Sequence, residues 1–501
     1  MKKKILVFAL PLLMVFNIAA QDFSFDDLGM DEGGASAEAS SLTVRGTAVV
    51  PMRYSTGNMS DEDTYDINVL KDNSWEVSPG LDLELSYATE RAEFKAALNI
   101  DEDITEETFD ELSVTLYSDK ITVKFGYQSV VWGKGDKLHV VDLMNPMDYS
   151  DFLNPDYLDR KVAVPMVDLK MPVGMSGQVE FAYVPVFRGS TLATDGAWMM
   201  NESAALKSLL TTAVTTQAVS DYANASGAAS AALTTATLTA AATGDASAIP
   251  AAVTASAVSD GTAALQMMDY ISNNSTIDAY LPDMNTLAYG QFGLHYTQSI
   301  GAVDLGATYY FGRIRTPSVY VTGTTPDDIS VIYDILHVAG LEAAGVLAGF
   351  NLRGEVAMYM TEDMEGDDAQ IINPSFNYVA GFDRNIPLHN LNLNLQATGV
   401  YTLFTDEIVA VNDVQAGTEE AETTLLVKLS DSFNHEKIKP DVTVVYSIED
   451  EAGMVRPSII FDTDGYLSFK VSGSCFFGDN DTGFGQFDDN DFIELEAAFR
   501  F

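Results

Sequence analysis

Residues 491–501, DFIELEAAFRF, decide the fold of this chain. In an extended strand, successive side chains point to opposite faces. One face of this stretch is apolar and carries Ile493, Leu495, Phe499 and Phe501. The other face is charged and carries Glu494, Glu496 and Arg500. A two-faced strand that runs to the last residue needs a partner edge, because an open strand edge exposes unpaired N–H and C=O groups.

Alternation with a period of two recurs along the chain from residue 42 onward. Clear examples are LDLELSY at 81–87, LNLNLQATGVY at 391–401 and YLSFKVSGSCFF at 466–477. Soluble β-sandwiches and membrane barrels share this alternation, so it predicts strands without choosing between the two folds.

The lengths of the connections favour a barrel. The predicted strands cover residues 42–54, 79–88, 91–100, 109–118, 120–128, 160–171, 175–186, 287–298, 302–312, 329–338, 346–360, 374–383, 390–403, 422–430, 439–448, 455–463, 466–477 and 489–501. Short and long connections alternate between them, as in outer-membrane barrels, which have short periplasmic turns, longer outer loops and an even number of strands.

We therefore predict an all-β fold: an antiparallel transmembrane β-barrel of 14 to 18 strands, with 18 preferred and both termini periplasmic. Closure would pair the last strand with the first, so that no backbone group is left unpaired in hydrocarbon, where each costs several kcal/mol. A soluble secreted β-protein is the alternative. It explains the alternation, but it does not explain the terminal phenylalanine and the alternation of loop lengths together.

The amino terminus has the pattern of a targeting segment. MKKKILVFALPLLMVFNIAAQ combines three lysines, an apolar run and small residues, which is the anatomy of a secretory signal peptide. We predict a signal peptide over residues 1–20, a flexible acidic periplasmic leader over residues 21–41, and the barrel over residues 42–501. A retained membrane anchor is the alternative, but the apolar run is shorter than the roughly 20 residues that a bilayer requires.

Composition excludes several classes of function. The formal net charge of −46 argues against nucleic acid as a partner, because phosphate binding requires basic surfaces. The single cysteine, Cys475, forms no internal disulfide, so stability must come from another source. No later stretch has 18 consecutive apolar residues, so the predicted membrane contact, with outer-membrane lipid, is made by strands.

The largest insertion covers residues 187–286 and is rich in Ala, Ser and Thr. It contains helix-like stretches such as ESAALKSLLTTAVTTQAV. An insertion of this length is usually functional or disordered. Two hypotheses stay open: a partly helical lid or plug over the mouth of the barrel, and a flexible surface loop.

Mixed charges and Asn-Pro turns concentrate in residues 126–165, GYQSVVWGKGDKLHVVDLMNPMDYSDFLNPDYLDRKVAVP. This segment is the third outer loop of the predicted barrel. Opposed carboxylates and basic groups in such a loop can select solutes by charge and size. The predicted constriction residues are Trp132, Lys134, Asp136, Lys137, His139, Asp142, Asp148, Arg160 and Lys161. The alternative is a self-packed loop that caps the barrel and pairs its own charges.

The charged rows of the strands predict the inner wall. The residues expected to face the lumen are Asp82, Glu84, Glu93, Lys95, Glu180, Asp304, Lys470, Glu494, Glu496 and Arg500. Acids outnumber bases in this set, so a water-filled lumen would have a mild preference for cations. A lumen filled by paired charges, which conducts little, is the alternative.

Two resemblances support this interpretation. The C-terminal stretch resembles the terminal signature of bacterial outer-membrane proteins, which implies that Ile493, Leu495, Phe499 and Phe501 act as an assembly signal. It also implies insertion by the outer-membrane barrel assembly machinery. Residues 126–165 resemble a segment of an uncharacterised porin-like outer-membrane family, on Gly126, Gln128, Trp132, Gly133, Asp136, Asn145, Pro146, Asp148, Arg160 and Pro165. That resemblance implies that the third outer loop folds inward to narrow a channel.

The sequence therefore predicts an outer-membrane porin-like channel for passive or facilitated passage of a small solute in a two-membrane bacterium. Alternatives are a structural or adhesive barrel that displays loops and a transporter of fatty acids or lipids. No motif indicates an enzyme, a cofactor or a metal site; the five histidines are scattered, and neither H-E-x-x-H nor G-x-S-x-G occurs. The sequence leaves the oligomeric state open, a homo-oligomer included.

Overall fold

Eighteen antiparallel strands pair in sequence order and close into a ring in this computed structural model. The structure describes residues 41–56, 75–101, 108–136, 138–150, 160–194, 196–243, 249–409 and 413–501. These residues belong to one compact unit, Ser41–Phe501. The predicted signal peptide, nearly all of the predicted leader, and Lys137 lie outside the described residues.

The wall strands are numbered in chain order. They are β1 Ser41–Ser55, β2 Gly80–Ala88, β3 Ala92–Ile100, β4 Phe109–Tyr117, β5 Thr122–Gln128, β6 Val164–Val173, β7 Gly177–Val184, β8 Gln291–Ile300, β9 Val303–Arg313, β10 Ile335–Leu347, β11 Phe350–Met360, β12 Ser375–Ile386, β13 Leu391–Thr402, β14 Ala421–Ser430, β15 Ile438–Ser447, β16 Ala452–Asp462, β17 Leu467–Phe477 and β18 Phe492–Arg500. A short strand, Trp75–Val77, extends β2 along the same edge of β1. The predicted barrel, with the preferred strand number, is confirmed.

The ring closes between the two ends of the chain. β1 and β18 pair from Thr47 with Arg500 to Ser55 with Phe492. Past that ladder, Gly46 and Phe501 exchange two backbone hydrogen bonds of 2.9 Å each. A Cβ at Gly46 would lie 2.3 Å from the Phe501 ring, so the missing side chain leaves the space that the ring fills. Phe501 therefore extends the pairing of β18 with β1, and the eighteen described wall strands leave no open edge.

The two faces of the wall have opposite chemistry. Large apolar side chains on the outer face are exposed, among them Val44, Phe469 and Phe499. The inner rows carry charged and polar groups, such as Glu494, which is 5% exposed. Apolar residues facing out and polar residues facing in are typical of a barrel that spans a lipid bilayer.

One end of the barrel carries short turns and the other carries long loops. Ser41 and Phe501 both lie at the short-turn end, because the number of strands is even. The loops used below are loop 3 (residues 129–163), loop 4 (185–290), loop 5 (314–334) and loop 9 (478–491).

Loop 4 contains two long helices, α1 Asn201–Thr243 and α2 Ile249–Asn274. The partly helical insertion expected from the sequence is therefore present. In the described part of the chain, no helix combines the length and the apolarity needed to cross a membrane.

The tenth strand departs from its predicted position. The sequence analysis placed it at residues 329–338, whereas β10 runs from Ile335 to Leu347. Ile329–Ile332 is indeed a strand, but it pairs with Ser318–Val321 in a hairpin of loop 5. The apolar run at 329–332 has strong β propensity, while the wall strand HVAGLEAAGVL contains many Ala and Gly residues that weaken its signal.

Candidate functional site: a loop that crosses the lumen

Loop 3 folds into the barrel instead of standing outside it. It leaves β5 after Gln128 and returns to β6 at Val164. Its tip, Lys134–Asp136, forms hydrogen bonds with side chains of β11 and β13. β13 is eight strands away from β5 around a ring of eighteen, so the tip is fixed almost diametrically opposite its root.

A single buried carboxylate, that of Glu355 on β11, holds the tip. Its oxygens accept backbone N–H groups of Lys134 at 2.8 Å, Gly135 at 2.6 Å and Val140 at 2.8 Å. His139 Nδ1 lies 2.9 Å from the same carboxylate. Because Glu355 is 1% exposed, these charge-assisted bonds form out of contact with water, where they are strong.

The backbone at the tip requires glycine. Gly133 has a φ of +105°, a region that favours glycine, and a Cβ there would lie 2.3 Å from Glu355 Oε1. A Cβ at Gly135 would lie 1.9 Å from the carbonyl oxygen of Leu138. The Trp-Gly-Lys-Gly sequence thus allows the loop to wrap around the carboxylate.

Asp136 makes the second anchor of the tip. Asn394 Nδ2 donates to Asp136 Oδ2 at 2.5 Å, and the Asp136 N–H donates to Gln396 Oε1 at 3.2 Å. Arg353 Nη1 lies 3.6 Å from Asp136 Oδ2, and Arg353 is also paired with Asp383 of β12. The side chain of Asp136 is 36% exposed, so this end of the loop faces water.

Asn145, from the predicted Asn-Pro turn, ties the two limbs of the loop together at its root. Its Oδ1 accepts the N–H of Val130 at 3.0 Å. Its Nδ2 donates to the carbonyl oxygens of Gln128 at 3.0 Å and Val162 at 2.9 Å. One 2% exposed side chain therefore replaces the strand pairing that ends where β5 and β6 separate.

The limbs of the loop pack against one side of the wall and form a dry core there. The loop contributes apolar residues that meet inward-facing side chains of β6, β7 and β9 to β12. The buried members are Val130, Trp132, Val140, Val141, Met144, Val164, Met166, Ala182, Val184, Tyr310, Leu336, Val338, Ala357 and Val379. The lumen is thereby filled with side chains along this part of the wall.

Trp132 is the largest side chain in this dry core and is 1% exposed. Its Nε1 donates to Glu180 Oε1 at 2.9 Å, and its ring lies 5.2 Å from the ring of His295. A Cβ at Gly293 on β8 would lie 2.3 Å from the Trp132 ring, so this glycine provides the seat for the indole.

Several predicted constriction residues do not face a passage. Trp132 and the pair formed by Lys161 Nζ and Asp142 Oδ2, 2.5 Å apart, are buried, with side-chain exposures of 1% for Lys161 and 0% for Asp142. The side chain of His139 is 6% exposed. Burial lowers the pKa of Lys161, because a buried ammonium loses its hydration. The structure therefore places these four side chains inside the packed loop and not on an exposed surface.

The remaining predicted residues of the loop are divided between its two ends. Lys134 and Asp136 lie at the partly exposed tip. Asp148 pairs in parallel with Thr191 of loop 4, and Arg160 lies over the ring of Tyr149, 5.5 Å from its centroid. Asp148 therefore joins loops 3 and 4, whereas Arg160 packs within loop 3, and both lie away from the tip.

The rest of the wall carries ion pairs in which the basic partner is partly exposed. Arg53 Nη2 lies 2.9 Å from Glu494 Oε2. Lys124 Nζ lies 2.6 Å and Lys95 Nζ 3.2 Å from the two oxygens of Glu111. The further wall pairs are Lys470 with Glu496 at 3.4 Å, Lys428 with Asp441 at 3.6 Å, and Lys170 with Asp168 at 3.4 Å. Side chains such as Lys95 and Lys428, each 32% exposed, are therefore accessible to solvent.

All ten residues predicted to face the lumen lie on the inner rows of their strands. The inner rows carry further charged side chains that the sequence prediction did not include, chiefly Arg53, Glu111, Lys124, Arg353, Glu355, Lys428 and Arg456. Applying the same alternation rule to every strand would have placed them inward. The role of Glu355 as the anchor of loop 3 had no sequence signal. In the described residues, no group of three or more His, Cys, Asp or Glu side chains is placed to hold a metal ion.

Loop 4 reaches across the mouth. Asn490 Nδ2 of loop 9 donates to the carbonyl oxygen of Ala197 at 2.7 Å, and the Asn201 N–H donates to Gln486 Oε1 at 2.8 Å. Trp198 packs against Phe487, with ring centroids 5.6 Å apart. These contacts join a segment that leaves β7 to the loop between β17 and β18.

The start of α1 then turns to another part of the rim. Leu210 and Ala213 pack against Ile329 and Val331 of the loop 5 hairpin. The first turns of α1 therefore extend from loop 9 to loop 5, over the opening that loop 3 narrows below.

Comparisons with known proteins place this architecture in context. A family model described as protein of unknown function (DUF1302) matches residues 36–415. No protein of curated function matches the sequence. Similar solved structures include the outer membrane channel DcaP of Acinetobacter baumannii, with 9% identity, 94% of this chain and 99% of that chain covered, and a TM-score of 0.40.

Two further structures are similar in the same degree. OccAB3 of Acinetobacter baumannii has 8% identity, covers 92% of this chain and 99% of its own, and has a TM-score of 0.44. The outer membrane protein opdK of Pseudomonas aeruginosa has 9% identity, covers 92% and 99%, and has a TM-score of 0.42. These likenesses are too distant to bear on function, which must be argued from the barrel and its loops.

Proposed function

We propose that this chain, which belongs to the family of proteins of unknown function DUF1302, is an outer-membrane channel for passive or facilitated passage of small solutes. The course of loop 3 carries the proposal. A loop that crosses the lumen and is fixed on the opposite wall narrows any passage to the space that it leaves. The apolar outer face supports a place in the outer membrane of a two-membrane bacterium. The short-turn end, with both termini, is then periplasmic.

The passage runs along the hydrated half of the lumen. Loop 3 and its dry core occupy the inner face of β9 to β12. From β14 round to β4 several charged wall side chains remain partly exposed; that of Lys470, for example, is 26% exposed. A narrowed but wet lumen suits a channel better than a sealed structural barrel.

We propose a mild preference for cations. The preference is supported by the chain's net charge of −46 and by Asp136 at the exposed tip of loop 3. Inward-facing lysines and arginines oppose it and keep it small. Reversal potentials under a salt gradient measure it directly; selectivity for anions would contradict it.

We further propose that loop 4 acts as a lid. Its contacts with loops 9 and 5 hold it across the mouth. Removing residues 202–273 should therefore raise single-channel conductance, and a loop with no role in the passage should leave conductance unchanged.

Single-channel recording in planar bilayers tests the channel itself. The unmodified protein should open to a defined conductance, and Asp136→Asn should change that conductance or its charge selectivity. Asp327→Asn removes the same charge from an exposed site in loop 5 and serves as the matched control. A folded barrel that stays electrically silent would refute the proposal.

A second candidate, a barrel that displays its loops to a partner, is favoured by one observation. Most side chains of α1 and α2 beyond the rim are exposed, including Leu238 at 66% and Leu265 at 70%. A display barrel would be silent in the bilayer assay, so the same recordings separate the two. Insertion by the barrel assembly machinery is part of both proposals.

A further inference from the structure

A cavity of about 320 Å³ opens into the lumen at the short-turn end of β3 to β6. Its lining is charged with both signs, from Glu93, Lys95, Glu111, Lys124 and Asp168 together with Lys170. Pockets that bind small molecules start at about 300 Å³. The cavity therefore has the size for one small solute.

Lysines and a carboxylate form one side of the cavity. Lys95 and Lys124 share Glu111, at 3.2 and 2.6 Å, and Glu111 is largely covered, with 13% of its side chain exposed. The two ammonium groups remain 32% and 27% exposed. Because the two lysines share Glu111, each ammonium group can still donate hydrogen bonds to an anionic group of a solute.

The other side, on β6, has a carboxylate that lacks a full set of donors. Asp168 is 1% exposed, and its Oδ1 has no hydrogen-bond partner among the described residues. Its Oδ2 lies 3.4 Å from Lys170 Nζ. A buried acceptor without a donor is costly, so this side is suited to a group that brings N–H donors.

These two sides lie next to each other in the sheet. Lys124 and Asp168 are directly opposed partners on β5 and β6, and directly opposed residues have Cβ atoms about 4.5–5.5 Å apart. A solute that bridges them carries its positive and negative groups a few ångströms apart.

We infer that this cavity is a binding site for small zwitterions, with the solute carboxylate held by Lys95 and Lys124 and its ammonium group by Asp168. Amino acids and short peptides are the solutes with this chemistry. The inference deepens the proposed function, on which it rests, because the solute reaches the cavity through the channel.

Binding to the full-length chain in detergent micelles tests the site, with titrations followed by saturation-transfer NMR. The probes are L-leucine, isoamylamine, which lacks the carboxylate, and 4-methylvalerate, which lacks the amine. Loss of one charge-assisted contact corresponds to about a tenfold loss of affinity. We expect leucine to bind about tenfold more tightly than either analogue.

Variants assign each contact through ratios measured within one protein. Asp168→Asn should abolish the preference for leucine over 4-methylvalerate while keeping the preference over isoamylamine. Lys124→Gln should do the reverse. Lys428→Gln removes an inward lysine of β14 and should change neither ratio. Asp168→Ser is the second variant on the ammonium side, should Asp168→Asn fold poorly.

Equal binding of the three probes, no binding of leucine, or unchanged ratios in both variants would overturn the inference. Micelle binding does not depend on conduction. A barrel that conducts but does not discriminate among the probes would therefore refute the site and leave the channel. A silent barrel that binds leucine would refute the channel and leave the site.

Discussion

Glu355→Ala should release the tip of loop 3 from the far wall. The carboxylate accepts three backbone N–H groups at 2.6–2.8 Å, and each hydrogen bond to a charged group contributes about 1.5–3 kcal/mol. The low end of that range gives about 4.5 kcal/mol, and hydration of the half-buried N–H groups on release returns part of it. A net change of about 3 kcal/mol corresponds to a roughly 100-fold increase in the ratio of released to docked loop.

Single-channel recording would detect this release as current noise and higher conductance. Glu355→Gln should be intermediate, because its amide oxygen still accepts N–H groups but its NH₂ group cannot. Glu342→Gln is the matched control. Glu342 is the direct cross-strand partner of Glu355, is 3% exposed, and has its contact with His295 of the wall, at 2.9 Å. If Glu355→Ala gave the same noise and conductance as the control variant, the anchoring role would be refuted.

Three further variants test the hydrogen bonds at the root of loop 3, the packing of Trp132 against Gly293, and the closure of the barrel at Phe501. Asn145→Ala removes three hydrogen bonds at the root of loop 3 and should cost about 3 kcal/mol, seen as a lower temperature for loss of the folded band on heated gels; an unchanged temperature would contradict this. Gly293→Ala places a Cβ 2.3 Å from the Trp132 ring, so it should destabilise the folded barrel by about 1–3 kcal/mol and alter conductance. No change in either measurement would contradict the role of Gly293 in seating Trp132. Deleting Phe501 removes both backbone bonds to Gly46 and should lower the yield of folded barrel in membrane fractions, and full yield would count against a role in closure.

The fold could be predicted because its signal is local. Alternation along each strand and the length of each connection follow from the chain itself, and closure follows from the need to pair every backbone group in lipid. The prediction failed where two candidate strands competed, at Ile329–Ile332 and β10. Both segments are extended, and which one joins the wall depends on its pairing with the neighbouring strands of the closed barrel.

The site could be predicted only in part. The glycines, Asn-Pro turns and charges of residues 126–165 indicate an ordered loop, and the structure contains one there. The direction of each side chain was not available. Trp132 and Lys161 point into a dry core that exists only because β6, β7 and β9 to β12 surround it. Glu355 lies 220 residues from Gly135 in sequence, and no local pattern links the two.

The two halves of the lumen depend on each other. Ordering the long loop 3 has a large cost in conformational entropy, about 1–2 kcal/mol for the backbone of each residue. Exposed ion pairs contribute too little to offset that cost. Packing the loop against one side of the wall excludes water there, and the low dielectric strengthens the hydrogen bonds to Glu355 and Asn145. The solvent-accessible ion pairs lie on the opposite wall, where exposure makes them weak. Weak ion pairs can exchange partners with a charged solute. The same packing therefore gives a fixed constriction on one side of the lumen and, on the other side, wall charges that can bind a solute.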